Sequence, residues 1–193
     1  NPVYARQRYP DPLLGERFAP GETAYEDDFV CLWHDGDGIG VLSFKSKMNT
    51  VGDGVLAGVQ KAIDLAEQQF QGLVVWQTKE PFSAGADLSG VLASLQEGRI
   101  EDFRTMIGQF QATSMRIKYA QIPVVAAVRG MALGGGCEFQ MHAARTVFAL
   151  ESYIGLVEAG VGLLPAGGGL KEIAVRVGLN PPNGDVHAGL KPY

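Results

Sequence analysis

Short apolar runs and longer amphipathic stretches alternate along this chain, and their lengths are those of strands and helices. The apolar runs predict β-strands at 29–34, 39–44, 72–76, 124–128 and 146–150. The first two runs flank Asp35-Gly-Asp-Gly38, a turn sequence typical of a β-hairpin. The runs at 72–76 and 124–128 lack polar alternation, which is typical of strands buried on both faces.

Apolar residues at helical spacing predict helices between these strands. One runs from Asp53 to about Gln69, and a longer helical region ends near Gln121, because Pro123 disfavours a helical residue before it. Shorter helices are predicted at about 136–143 and at 167–177. Strand, glycine-rich turn and helix thus recur, with the turn at the carboxyl end of the strand, where α/β proteins bind their ligands. The predicted fold class is α/β.

The two ends of the chain differ from this regular middle. Residues 1–28 are polar and proline-rich and predict a linker or extended arm, with regular structure beginning at Phe29. Residues 180–193 are turn-rich and predict a truncated tail. Residues 29–179 form one predicted domain, long enough to bury a core. The chain is interpreted as a piece excised from a longer polypeptide. Simple N-terminal processing with a short tail is the alternative.

Charge and cysteine content narrow the function classes. A net charge of −5 without a long basic run argues against a nucleic-acid partner. No apolar run is long enough to span a bilayer. Cys31 and Cys137 lie in apolar surroundings and are expected to be reduced core residues, which suits a cytoplasmic protein. No spacing of cysteine and histidine suggests a metal site.

Two glutamates beside glycine-rich turns are the candidate chemistry. Glu138 follows Gly134-Gly-Gly-Cys137, and Glu158 precedes Gly160 and further glycines. A helix starting near Gly136 leaves its first amides unpaired, so the N–H of Gly135 can hold a developing oxyanion. The amide of Ala84, in a third glycine turn, is the candidate second donor. Carboxylates and such donors together suit proton transfer next to a carbonyl.

The same residues are open to other interpretations. The glycines fit neither GxGxxG nor a P-loop, so a nucleotide site is disfavoured. Close packing of a helix on a strand explains one or two of them. Each glutamate alone is consistent with a solvated helix or loop carboxylate. Apolar neighbours of Glu158 argue against full solvation, and such surroundings raise the pKa of a carboxyl group. His142 lies one helical turn after Glu138 and either tunes that carboxylate or is simply packed or solvated.

Three segments resemble the enoyl-CoA hydratase/isomerase (crotonase) family: 82–88, 123–138 and 153–169. The resemblance covers about residues 29–177. It implies a crotonase-like spiral of ββα units whose C-terminal helical part is truncated here. It also implies acyl-CoA substrates, with the thioester oxygen held by the N–H groups of Ala84 and Gly135. Coenzyme A is then part of the substrate, and hydration needs no bound cofactor.

The family's hydratases carry two glutamates at the spacing of Glu138 and Glu158, whereas its isomerases use one. The resemblance therefore favours an enoyl-CoA hydratase of fatty-acid β-oxidation. A Δ3,Δ2-enoyl-CoA isomerase and a non-catalytic acyl-CoA-binding or assembly module are the alternatives. The resemblance also implies a set of residues that contact the substrate or its CoA: Lys47, Ser83, Ala86, Asp87, Leu88, Gly134 and Ala166.

The chain also departs from the family pattern. Hydratases usually have Gly-Gln-Pro where this chain has Gly155-Leu-Val, and glycine where it has Ala166. Family members continue for several helices past Val177. Residues 6–16 and 184–193 are similar to segments flanking the crotonase part of fused bacterial 3-hydroxyacyl-CoA dehydrogenase/enoyl-CoA hydratases. A homo-oligomer or a fused dehydrogenase domain is therefore expected, with NAD only where that dehydrogenase half is present.

Overall fold

The structure, a computed structural model, describes residues 21–88 and 97–179. The predicted tail at 180–193, most of the predicted N-terminal arm, and the segments 6–16 and 184–193 lie outside the described residues. The described strands are β1 Glu22–Glu26, β2 Val30–His34, β3 Ile39–Phe44, β4 Gly72–Trp76, β5 Val124–Val128, β6 Met131–Leu133, β7 Arg145–Phe148 and β8 Tyr153–Gly155. The described α-helices are α1 Asp53–Gln69, α2 Ile100–Lys118, α3 Gly135–His142 and α4 Gly169–Leu179.

Six strands form the main sheet, in the order β1-β2-β3-β4-β5-β7. Strands β1, β2 and β3 are antiparallel neighbours, as short turns allow. From β3 onward the pairs are parallel, because α1 carries the chain back before β4 and α2 before β5. A second sheet pairs β6 with β8 in parallel and lies over the start of α3. The predicted α/β class is confirmed.

One face of α1 closes the core against the sheet. Its buried apolar residues recur at helical spacing: Val55, Val59, Ala62, Ile63 and Ala66. They join strand residues such as Leu32 and Leu42 in one cluster. Gly58, on the same face, is so close to β2 that an added Cβ would lie 2.7 Å from the Val30 side chain. The periodicity that predicted this helix is therefore also the pattern of its packing.

Several predicted boundaries are confirmed, and one is wrong. The structure has α1, β4 and β5 at the predicted residues, whereas α2 ends at Lys118, somewhat before Gln121. Regular structure begins at Glu22 rather than Phe29, because β1 pairs with β2 inside the predicted arm. Strand β1 is a polar, largely exposed edge strand, so it lacks the apolar signal on which strand prediction depends.

We expect Ile63→Ala to lower the free energy of unfolding by about 2–5 kcal/mol, because the wild-type side chain is fully buried and its loss leaves a cavity. Lys61→Ala, on the exposed side of the same helix, is the matched control and should change stability little. Urea denaturation followed by circular dichroism measures both. Equal losses for the two variants would contradict the assigned core face of α1.

Candidate active site

A short 3-10 turn, Lys47–Asn49, fixes the glycine turn that follows β4. Asn49 donates through Nδ2 to the carbonyls of Lys79 (3.0 Å) and Pro81 (2.7 Å), and its own carbonyl accepts from Ser83 Oγ at 2.7 Å. Asn49 has φ 52°, a left-handed conformation that asparagine tolerates better than most residues. Asn49 was not among the predicted site residues. The available signal was an asparagine in the short segment between a predicted strand and a predicted helix.

The amide of Ala84 is not available to a ligand in this structure. It donates to the Met48 carbonyl at 3.1 Å, so the prediction that Ala84 is an oxyanion donor is wrong here. The amide of Ala86 has no acceptor among the described residues, because the neighbouring Asp87 amide and Gly85 carbonyl make the contacts to Val51. A Cβ added to Gly135 would lie 3.4 Å from the Ala86 nitrogen. Ala86, predicted only as a substrate contact, thus takes the place predicted for Ala84.

The second candidate donor is where the sequence predicted it. Gly135 is the first residue of α3, and its N–H has no partner among the residues that the structure describes. Gly134 precedes it with φ 49°, which favours glycine, and its own amide donates to the Gly155 carbonyl at 2.9 Å. The helix start adds partial positive charge at this point. The amides of Ala86 and Gly135 therefore form a pair that can hold one oxygen.

Glu138 lies in the first turn of α3 and is only 3% exposed. Its Oε1 accepts from the Gly169 amide at 2.8 Å, and the amides of Gly167 and Gly168 also act on this carboxyl group. A Cβ on Gly167 would lie 2.4 Å from Oε2, so only glycine permits this approach. Burial raises the pKa of Glu138, the three amides oppose that rise, and the charge of Glu158 adds to it.

Glu158 begins a 3-10 turn, Glu158–Val161, shortly after β8. Its Oε2 is buried without a hydrogen-bond partner in the described part of the chain. A Cβ on Gly134 would lie 3.2 Å from Oε1, which places the carboxyl group beside the start of α3. Burial raises the pKa of Glu158 as well, with only its own backbone amide opposing. Glu158 is thus half-buried rather than fully solvated, as its apolar neighbours in the sequence predicted.

The other residues predicted to contact the substrate differ in how close they lie to Glu138 and Glu158. Ser83 is fully buried, and its hydroxyl accepts from the Gly85 amide at 3.1 Å, so it shapes the turn. The Ala166 carbonyl accepts from Gln111 Nε2 at 2.7 Å, next to the amides on Glu138. Lys47 and Asp87 have exposed side chains and Leu88 is half-buried. For these three residues substrate contact stays a prediction.

His142 is packed rather than solvated. It is 2% exposed, and its Nδ1 lies 2.7 Å from the main-chain carbonyl of Glu138, not from the carboxylate. Because a carbonyl only accepts, Nδ1 carries the proton. Burial lowers the pKa of His142, which favours the neutral ring.

Among the described residues, no cluster of three or more histidine, cysteine or acidic side chains is arranged to hold a metal ion. The described helices include none with the length and apolarity of a membrane span.

Comparisons with a family model and with individual proteins point to the same family. A sequence model described as Enoyl-CoA hydratase/isomerase matches residues 35–184. A probable 3-hydroxyacyl-CoA dehydrogenase of Bacillus subtilis is 42% identical over 151 residues, which are 77% of this chain and 19% of that protein. A putative fatty acid oxidation complex trifunctional enzyme of Rickettsia felis is 36% identical over 136 residues, 70% of this chain and 19% of that protein. The chain thus spans about a fifth of the length of these relatives.

Solved structures share the fold. An enoyl-CoA hydratase from Polaromonas sp. JS666 superposes with a TM-score of 0.71 at 25% identity, covering 76% of this chain and 58% of that one. DspI from Pseudomonas aeruginosa superposes with a TM-score of 0.69 at 26% identity, covering 79% and 63%. The predicted crotonase-like architecture is confirmed.

Glu158→Gln is expected to raise the stability of the protein at pH 7.5 and to leave it unchanged below pH 4. Burial raises the pKa of Glu158 above the ordinary value of 4.5. A carboxyl group of this kind stabilises the fold below its unfolded pKa, and that contribution is lost as pH rises through the folded pKa. The amide does not ionise, so it avoids the loss.

Urea denaturation at both pH values measures the difference, with the exposed Glu151→Gln as the matched control. Equal stability of the Glu158→Gln protein and the parent at pH 7.5 would show that the wild-type carboxylate is not desolvated.

Proposed function

We propose a specific reaction from one established fact: this chain belongs to the enoyl-CoA hydratase/isomerase family. The proposed reaction is syn hydration of a trans-2-enoyl-CoA, in which water adds its oxygen to C3 and a proton reaches C2. The observation that carries the proposal is a pair of carboxyl groups beside two unpartnered amides: Glu138 is buried, and Glu158 is half-buried with its Oε2 enclosed. The relatives named for fatty-acid oxidation support β-oxidation as its setting.

The two amides supply the electrostatic part of the mechanism. When water adds to C3, negative charge develops on the thioester oxygen as an enolate. The N–H groups of Ala86 and Gly135 donate to that oxygen from fixed positions, so no reorganisation is needed as charge develops. Phe110 packs against Gly135, where an added Cβ would lie 2.5 Å from its ring. The ring keeps water away from this part of the site, which strengthens both hydrogen bonds.

The surroundings of the two carboxyl groups assign their roles. The glycine amides on Glu138 favour its charged form, so Glu138 takes the proton from the attacking water. Glu158 has no such donors on Oε2, and burial raises its pKa, so it holds its proton more readily and delivers that proton to C2. The net change is one water added across the double bond, with both carboxyl groups restored after proton exchange with solvent.

The orphaned oxygen of Glu158 favours hydration over a one-carboxylate isomerisation. An unpartnered buried carboxyl oxygen costs stability unless water or substrate supplies a donor, and Glu158 Oε2 has no donor among the described residues. A reaction that places water against it supplies the missing partner. The same argument disfavours a purely binding or assembly module, because the cost would then serve no chemistry.

The proposal includes the substrate and its surroundings. Coenzyme A enters as part of the thioester, and the hydration step uses no further cofactor. Lys47, Asp87 and Leu88 are proposed to contact the CoA part, and Ala166 to border the water site. NAD belongs to the proposal only through a dehydrogenase domain in the same protein, as the name of the Bacillus subtilis relative suggests. A homo-oligomer is the alternative assembly.

Glu138→Gln and Glu158→Gln are each expected to reduce kcat for crotonyl-CoA hydration by about 10²–10⁴-fold in the full-length protein, with little change in acyl-CoA affinity. The amide keeps the shape of the side chain but cannot exchange the proton. Loss of the enoyl-thioester absorbance measures hydration, and calorimetry with butyryl-CoA measures affinity. Glu151→Gln is the control. Near-normal turnover in either variant would contradict the two-carboxylate mechanism.

Exchange of the C2 proton of butyryl-CoA in heavy water separates the two roles. If Glu158 serves C2, exchange is lost in Glu158→Gln and kept in Glu138→Gln. Conversion of a 3-enoyl-CoA to its 2-enoyl isomer, faster than hydration in the parent protein, would instead favour the isomerase alternative.

Replacing the Ala86 amide by an ester, through incorporation of the matching α-hydroxy acid, is expected to lower kcat by about 10²–10³-fold, because one oxyanion donor is lost. The same replacement at Ala84 removes only the hydrogen bond to Met48 and should lower stability by about 0.5–1.5 kcal/mol without that loss of rate. The side chain is unchanged in both cases. A larger rate loss at Ala84 than at Ala86 would overturn the assignment.

A further inference from the structure

We propose that Glu172, held by Lys118, is a positioning residue for Glu138: it fixes the start of α4 so that the glycine amides stay on the Glu138 carboxylate. The proposal deepens the hydratase function and rests on it for its catalytic meaning. The positioning contact itself can be measured without substrate, so it can be tested independently of the hydratase reaction.

Glu172 is an acidic side chain buried inside a cluster of charges. It is 3% exposed, and its Oε1 lies 2.6 Å from Lys118 Nζ, 2.7 Å from Lys171 Nζ and 3.6 Å from His142 Nε2. Burial alone would raise the pKa of Glu172, but the two lysines outweigh it and bring the pKa to about 2. The carboxylate is therefore charged across the working pH range.

This ion pair matters because it joins α4 to α2 through a buried side chain. Among the described residues of α4, Gly169 and Glu172 are the buried ones. Lys118 is the last residue of α2, so its bond to Glu172 ties the first turn of α4 to a long, well-packed helix. The position of the first turn of α4 is thereby linked to that of α2.

The same turn carries the donors to Glu138. The Glu172 amide donates to the Gly168 carbonyl at 3.0 Å, and the Gly169 amide donates to Glu138 Oε1 at 2.8 Å. A displacement of Glu172 therefore moves Gly168 and Gly169 with it. His142 lies between α3 and α4 and contacts both. Its Nδ1 faces the main-chain carbonyl of Glu138, and its Nε2 lies 3.3 Å from Lys171 Nζ.

The charged groups around this region come from every element packed on it. Helix α2 contributes Lys118, α3 contributes Glu138 and His142, and α4 contributes Glu172 together with the side chains of Lys171 and Arg176. Arg176 donates to the Met141 carbonyl at the end of α3. The 3-10 turn after β8 contributes Glu158, whose charge acts on Glu138.

The test compares Glu172→Gln and Lys118→Met with Glu67→Gln in the full-length protein. The control breaks an ion pair of similar length on the same helix, since Arg116 contacts Glu67 at 2.7 Å without touching α4. Carbon-13 NMR of labelled glutamate follows the titration of Glu138 without substrate, and hydrogen exchange follows the amides of residues 167–169.

Glu172→Gln and Lys118→Met should each raise the titration midpoint of Glu138. Each should also speed hydrogen exchange of the amides of residues 167–169 by about tenfold or more, whereas Glu67→Gln changes neither quantity. Lys118→Arg should restore both quantities. An unchanged Glu138 titration in folded Glu172→Gln and Lys118→Met would overturn the proposal. Because no readout uses hydration, a failure of the proposed reaction would leave this result unaffected.

Discussion

The site depends on keeping a carboxylate out of water without losing its hydrogen bonds. Glu138 is almost fully buried, and an ionised group in that position is costly unless donors replace its hydration. The donors are main-chain amides at the start of α4, led by Gly169. Everything that places those amides is therefore part of the site, including the contacts of Gln111 with Ala166 and of Lys118 with Glu172.

Main-chain donors can approach this closely only where side chains are absent. Added Cβ atoms at Gly135 and Gly167 would each come within 2.5 Å of the Phe110 ring, and Gly136 would meet Ser83 at 2.6 Å. The glycines thus let α2, α3 and the turn before α4 converge on one volume. At these three positions glycine serves close packing rather than flexibility.

The sequence predicted the helices and buried strands well, because their apolar periodicity is also their packing. From local context it predicted that the Gly135 amide at the start of a helix is unpaired and that Glu138 lies close behind it, as the structure has them. It did not distinguish Ala84 from Ala86. Gly85 between them has φ 99°, so the chain changes direction: the Ala84 amide donates to Met48, whereas the Ala86 amide has no acceptor among the described residues. That choice depends on Met48, which is distant in sequence. Strand β1 was missed because its partner, and not its composition, makes it a strand.

Helix α4 is joined to the preceding helices by charge. The buried side chain among its described residues is Glu172, which lies 2.6 Å from Lys118 Nζ. A buried ion pair contributes little net stability, since its desolvation offsets much of its attraction, but it accepts few geometries. Such a pair lies next to the glycine amides that donate to Glu138. Its main effect there is to fix the position of the helix rather than to add stability. The first turn of α4 is then placed where the Gly169 amide reaches the Glu138 carboxylate, and the position of that turn is set by the charge on Glu172.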